Sequence, residues 1–316
     1  MAITRRAVID IGTNSVKLLV AEVVDGQVFP LVERSKQTRL GRGLYDAGCL
    51  TPEALAKTAE AVARFADLAR PIVGSAIRVF ATSAAREARN TDELLRAVRD
   101  AAGLPVEIIS GQTEAEWVYR GVTTDPRLKG QRLLILDVGG GSTELVLGNG
   151  GHYTFQHSVA LGSVRLLAQF HPSDPPKPEE WAACRAWLEA FVRREVAPPL
   201  QEHLHAPPPQ PTQLVGTGGT STILARMEWK MVGFDRRRLE GTRLSRRRIH
   251  EMRQQLWSLP LEPRRQLPGL PPNRADVILM GVAIYAAIMD GLGFEDLYVS
   301  TRGLRFGALL AEPRET

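Results

Sequence analysis

Cysteine is nearly absent. The chain of 316 residues has two, Cys49 and Cys184, far apart and in no C-x-x-C or Cys/His spacing. That argues against a disulfide framework and a structural zinc. No secretory leader is expected either, because Asp10 interrupts the apolar run of "MAITRRAVIDIG". Long hydrophobic runs are missing. The longest, residues 277–289, is fenced by Asp276 and Asp290 and is too short to span a bilayer. It predicts a buried helix. A cytoplasmic protein with no membrane partner is expected. Nucleophile motifs are absent too: there is no G-x-S-x-G, no H-E-x-x-H and no cysteine paired with a plausible histidine.

What remains is ordinary in bulk. Hydrophobic residues make up 44% and charged residues 24%, the usual balance of a soluble globular chain long enough to bury a sizeable core. The formal net charge of +5 fits either an arginine-rich composition or an anionic partner.

Strands and helices alternate. Residues 6–14 and 16–24 read as strands joined at "GTNS", and 52–70 carry a helical period opened by Thr51 and Pro52. "IRVFATSAAR" reads as strand then loop, "TDELLRAVRDAAG" as helix, "PVEIIS" as strand, and "GQTEAEWVYRGV" as the next helix. A polar, Pro/Gly-bearing break at 123–132 precedes a restart of the pattern. Proline-rich loops flank a helix over about 177–204, and His203 and His205 beside them read as a surface helix end. An α/β fold in two similar halves is the simplest architecture.

The restart repeats the opening. "VIDIGTNSVKLLV" begins at residue 8 and "LILDVGGGSTELVLG" at 134. At an offset of 127 residues, Asp10 falls on Asp137, Gly12 on Gly139 and Ser15 on Ser142. Glycine lets the backbone come close to a ligand, and consecutive N–H groups in such a turn form a concave anion site. Thr13, Ser15, Ser142 and Thr143 add hydroxyl donors. An aspartate beside phosphate would repel it, so Asp10 and Asp137 make sense with a divalent cation between. A single copy reads equally well as a tight hairpin; two copies at matching positions favour anion binding. A third glycine segment, Gly216-Thr217-Gly218-Gly219-Thr220 in "LVGTGGTSTILARM", leads from strand to helix and forms another anion site at a positive helix end. It is neither a Walker loop nor G-x-G-x-x-G. Glu114 and Glu116 lie at a strand-to-helix junction, where catalytic groups and first-turn glutamates both occur.

Eight segments occur in order from residue 8 to about 307: "VIDIGTNSVKLLV", "FATSAAREARN", "ISGQTEAEWVYRG", "LLILDVGGGSTELVLG", "LGSVRL", "LVGTGGTSTILA", "NRADVILMG" and "VSTRGLRFG". Together they resemble the exopolyphosphatase / guanosine pentaphosphate phosphatase family of the actin, sugar kinase and heat-shock chaperone superfamily. The resemblance implies two ribonuclease-H-like (actin-like ATPase) domains, over 1–124 and 125–316, closing over a phosphate cleft with the two hairpins facing each other. The C-terminal helix could pack back on the first domain. By the same resemblance Glu114 is the base that activates water, and Arg86 binds phosphate. Asp137 and Glu144 lie near a magnesium or manganese ion and the water, with Asp10 as the further acidic residue. Asp10, Gly12, Thr13, Asn14 and Ser15 form the first phosphate loop. Asp137, Gly139, Gly140, Gly141, Ser142 and Thr143 form the second, and Gly216 to Thr220 match the nucleotide-holding loop of the ATP-binding relatives. A homodimer is implied, and no specific nucleic acid.

Two positions depart from the pattern. Thr113 stands where many members have a second glutamate, and Phe306 where many have Glu. No helical domain resembling the HD phosphohydrolases is expected, so short to medium polyphosphate is the expected substrate. The basic run 235–248 reads equally as a track for polyanion or as a solvated helix face. The expected activity is metal-assisted removal of the terminal phosphate of inorganic polyphosphate. Guanosine pentaphosphate is the alternative substrate, a superfamily ATPase or kinase a more distant reading, and a non-enzymatic polyphosphate sensor the last.

Overall fold

The structure, a computed structural model, describes residues 3–204 and 211–312. It is α/β and divides into two compact units. Unit 1 holds the described residues up to Asp125 and those from Arg302 onwards; unit 2 is Pro126–Thr301. His205 lies outside the described residues.

Unit 1 is built on strands β1 (Thr4–Ile11), β2 (Ser15–Val24), β3 (Gln27–Gln37), β4 (Ile77–Ala81) and β5 (Glu107–Ile108), in the order β3-β2-β1-β4-β5. The first three form an antiparallel meander, and β4 and β5 run parallel to β1. Residues 7–11 of β1 are all buried, as expected of a strand covered on both faces. One cover is helix Pro52–Val73, started by Thr51, whose side chain accepts from the Ala54 amide. It buries Leu55, Val62, Phe65 and Ala66 at helical spacing. Each such large apolar side chain contributes about 1.5–3 kcal/mol. The helix carries Pro71 in its last turn and ends at Gly74, later than the sequence pattern indicates.

Unit 2 repeats the plan. Strands β6 (Leu133–Val138), β7 (Thr143–Asn149) and β8 (His152–Val159) form the meander, and β9 (Gln213–Thr217) runs parallel to β6. β10 (Arg243–Ser245) lies at the edge beside β11 (Asp296–Val299), which is parallel to β9. Read from the third strand inward, β8-β7-β6-β9-β11 has the order and orientation of β3-β2-β1-β4-β5. The sequence repeat is therefore a repeat of topology. The apolar run at 277–289 becomes helix Ile278–Leu292, with Ile278 through Met289 all buried. Among the described residues no helix is long and apolar enough to cross a membrane.

Three local readings change. Arg86 sits on a short helix, Ser83–Glu87, where a loop is expected. The helix expected over 177–204 is interrupted by a π turn, Val192–Val196, just before Pro198 and Pro199. Prolines lack the N–H that an α-helical ladder needs, and a wider turn accommodates the gap. Gly216 and Thr217 belong to β9 and Gly218 to the following helix, so the third glycine segment is a direct strand-to-helix switch with no loop.

Candidate active site

In unit 1 the candidate residues gather at the carboxyl ends of β1, β4 and β5, where parallel sheets commonly bind ligands. The turn after β1 closes with the Gly12 amide donating to the Ser15 carbonyl at 3.0 Å. Its carbonyls are held from outside: Gly41 N donates to Thr13 O at 2.7 Å, and the Thr38 and Arg39 amides donate to Asn14 O. The amides of Thr13 and Asn14 are left without a partner among the described residues. The buried Asn14 Nδ2 and one carboxylate oxygen of buried Asp10 also lack one. Burial pushes the Asp10 carboxyl up from its ordinary range, against the opposing pull of Lys17 and Arg305. An orphaned, buried carboxylate oxygen beside free amides suits a cation-bridged anion better than a plain hairpin.

Arg86 and Glu114 meet. Arg86 Nη1 donates to Glu114 Oε2 at 2.7 Å and to Ile109 O at 2.9 Å. Glu114 lies in the first turn of helix Gly111–Val122 and is only 7% exposed. The helix starts at Ser110, whose Oγ accepts from the Thr113 amide at 3.1 Å and lies 2.9 Å from Thr113 Oγ1. Thr113 thus serves the cap. Glu116, two residues on, pairs with Arg120 at the surface. Phe306 fills unit 1's interior at 1% exposure.

Unit 2 has the matching turn, with Gly139 N donating to Ser142 O at 3.0 Å. The braces here come from helix Ser163–Phe170. Ser163 N donates to Gly139 O, Val164 N and Arg165 N to Gly140 O, and Arg165 Nε to Gly141 O, all within 3.1 Å. The amides of Gly140, Gly141 and Ser142 have no partner among the described residues. This brace lies in the segment "LGSVRL", whose pattern alone points to no such role. The available signal is Gly162, where a Cβ would lie 2.4 Å from Gly140 O. Thr143 is not a free donor, since its hydroxyl bonds Leu161 O at 2.6 Å.

Asp137 and Glu144 are direct partners across β6 and β7. Two carboxylates side by side repel unless something positive lies between them. Ser158 Oγ donates to Glu144 at 2.9 Å. Asp137 also abuts the third glycine segment: Gly218 has φ +83°, and a Cβ there would stand 2.0 Å from Asp137 Oδ1. Thr220 Oγ1 donates to Val138 O at 2.9 Å, tying this segment to β6. Gly219 stands beside it in the first turn of helix Gly218–Glu228. Among the described residues no three His, Cys, Asp or Glu side chains group as a metal centre. The pair still fits magnesium, which commonly takes one or two carboxylates and completes its shell with substrate phosphate and water.

Four arginines of the basic run are paired with carboxylates. Arg243 pairs with Asp296, Arg246 with Glu295, Arg247 with Glu251, and Arg248 with Glu228 and Glu251. Arg236 donates to Thr301 and packs on Phe234.

A family model described as the Ppx/GppA phosphatase family matches residues 19–314. Exopolyphosphatase 2 of Mycobacterium tuberculosis is 32% identical over 324 aligned residues, covering 98% of this chain and 99% of that protein. The solved Aquifex aeolicus PPX-GPPA enzyme is 31% identical with a TM-score of 0.78, covering 98% of this chain and 100% of that one. The solved exopolyphosphatase of Cytophaga hutchinsonii is 27% identical with a TM-score of 0.85 and 97% coverage of both chains.

Proposed function

The chain belongs to the Ppx/GppA phosphatase family, and from that premise we propose that it is an exopolyphosphatase that releases the terminal phosphate of inorganic polyphosphate. The observation that carries the reading is the pair of twin turns, Gly12–Ser15 and Gly139–Ser142, whose inner carbonyls are braced while the amides of Thr13 and Asn14, and of Gly140, Gly141 and Ser142, stay free among the described residues. Free amides that are already oriented cost no reorganisation when phosphate oxygens arrive.

Water attacks the terminal phosphorus in line, the phosphoanhydride P–O bond breaks, and the shortened chain leaves with the bridging oxygen. Glu114 orients the water and takes its proton at a carboxylate oxygen. For that, Arg86 must shift its hold toward the anionic substrate, because a guanidinium at 2.7 Å stabilises the charged carboxylate. The amides of Thr13 and Asn14 in unit 1, and those of Gly140, Gly141 and Ser142 in unit 2, are each suited to hold phosphate oxygens. In unit 2, Asp137 and Glu144 would hold magnesium or manganese, which neutralises phosphate charge; Asp10 is the acidic residue of the unit 1 turn. A homodimer belongs to the same proposal, and sedimentation showing monomer alone would remove it.

The test is phosphate release measured side by side on polyphosphates of defined length, guanosine pentaphosphate and ATP, with and without chelator. Fastest turnover on short to medium polyphosphate, abolished by chelator, is expected. Preference for guanosine pentaphosphate or ATP overturns the substrate assignment; full activity in chelator overturns the metal.

A further inference from the structure

Unit 2 carries a pocket formed by residues of helices Pro178–Phe191, Arg246–Ser258 and Ile278–Leu292. None of its lining residues belongs to the glycine segments. Helix Ile278–Leu292 directs Tyr285 toward the Thr217 carbonyl, whereas Ala283, Ala286, Ala287 and Asp290 line the pocket from the opposite face.

Arg253 is the unusual group here. Its guanidinium lies 4.2 Å from the centroid of the Trp181 ring. Its Nε is buried without a hydrogen-bond partner, and no acceptor among the described residues meets its other N–H groups. Burial and the neighbouring Arg185 disfavour its charge, against the opposing pull of Asp290. The pocket's carboxylates are already engaged. Asp290 Oδ1 lies 3.0 Å from His250 Nε2 and 4.0 Å from Arg246 Nε. Glu189 Oε1 lies 3.5 Å from Arg185 Nε. A guanidinium stacked on an aromatic face, with an uncommitted fork of donors and a second cation beside it, has the geometry that recognises a carboxylate or phosphate bidentately. The alanine floor leaves room for a compact body on that oxyanion.

We infer that this pocket binds a small oxyanion, a carboxylate or a phosphate, through Arg253, at a site separate from the glycine turns. The inference does not depend on the exopolyphosphatase reading.

The full chain, labelled with 5-fluorotryptophan, is titrated with succinate, inorganic phosphate and AMP while fluorine NMR follows Trp181, assigned with Trp181→Phe. At least one probe should move the Trp181 signal saturably. Binding by succinate alone, or by the phosphate compounds alone, supports the site and names the oxyanion. Arg253→Gln should raise the dissociation constant about 10- to 100-fold, as expected for losing a charge-assisted pair, with phosphate release unchanged. Arg253→Lys keeps charge and stem and loses the fork, so it should also bind more weakly, and it covers the case of a poorly folding Arg253→Gln. A Trp181 signal unmoved by every probe up to ~20 mM, or unchanged affinity in a folded Arg253 variant, overturns the inference.

Discussion

Glu114→Gln separates chemistry from folding. The wild-type carboxylate is 7% exposed and accepts from Arg86 at 2.7 Å. The amide keeps the volume and an oxygen that still accepts from Arg86, but it carries no charge and takes no proton at neutral pH. The folding cost is the loss of the carboxylate's charge opposite Arg86, whose guanidinium keeps its hydrogen bond, about 1–1.5 kcal/mol. Truncation to alanine would leave Arg86 unpaired and cost about 3–5 kcal/mol. Losing a general base lowers the rate about 10²–10⁴-fold, or about 3–5.5 kcal/mol of barrier. With a domain stability of about 5–15 kcal/mol, the folding loss leaves the protein almost wholly folded, so it cannot imitate the rate loss.

Three measurements on the same preparation check this: phosphate release at saturating polyphosphate, thermal melting, and equilibrium polyphosphate binding. Binding should persist and melting should fall by a few degrees. Turnover within a few-fold of wild type in a folded mutant would place the base elsewhere. Arg86→Gln attacks the same pair from the other side. If Arg86 holds substrate, KM should rise in that variant, and the double mutant should lose less than the sum of the two single losses.

Gly218→Ala introduces a Cβ at φ +83° and 2.0 Å from Asp137 Oδ1, so denaturant titration should show a loss of at least about 1–2 kcal/mol, with reduced phosphate release; wild-type values in both would refute the proposed packing. Because burial raises the Asp10 carboxyl above its ordinary 3.8, the stability carried by its protonated form is present below that value and lost as pH rises through the folded-state pKa. In chelator, Asp10→Asn should therefore be more stable than wild type at neutral pH and flatter with pH, and a melting series showing the reverse slope would refute this. Arg246→Ala and Arg248→Ala break half-exposed surface pairs, so each should change stability by roughly 1 kcal/mol or less and leave the polyphosphate length profile unchanged; a profile shifted toward short chains would restore the run as a track.

The doubled turn was legible because its chemistry is local. Gly12 and Ser15, like Gly139 and Ser142, are three residues apart and close on themselves. The Thr51-Pro52 helix start was legible for the same reason. What could not be read was decided by partners distant in sequence. Nothing near Arg248 announces its pairing with Glu228, 20 residues away, and nothing near Arg86 announces its bond to Glu114, 28 residues on. Gly216 looked like loop because nothing local announces that β9 stays paired with β6 on one side and β11 on the other.

The same division runs through the turns themselves. Sequence shows which amides have the backbone freedom to face a ligand, but those amides are free only because other segments have taken the carbonyls. Residues 38–41 do this in unit 1 and residues 163–165 in unit 2. Both braces approach so closely that a glycine is needed: a Cβ on Gly41 would meet Thr13 Cγ2 at 2.3 Å, and one on Gly162 would meet Gly140 O at 2.4 Å. The repeat therefore extends beyond the two strands and their turn to a bracing glycine downstream of each. The offsets differ, Gly41 lying 29 residues after Gly12 and Gly162 lying 23 after Gly139, so superposing the sequences at a single offset cannot reveal it.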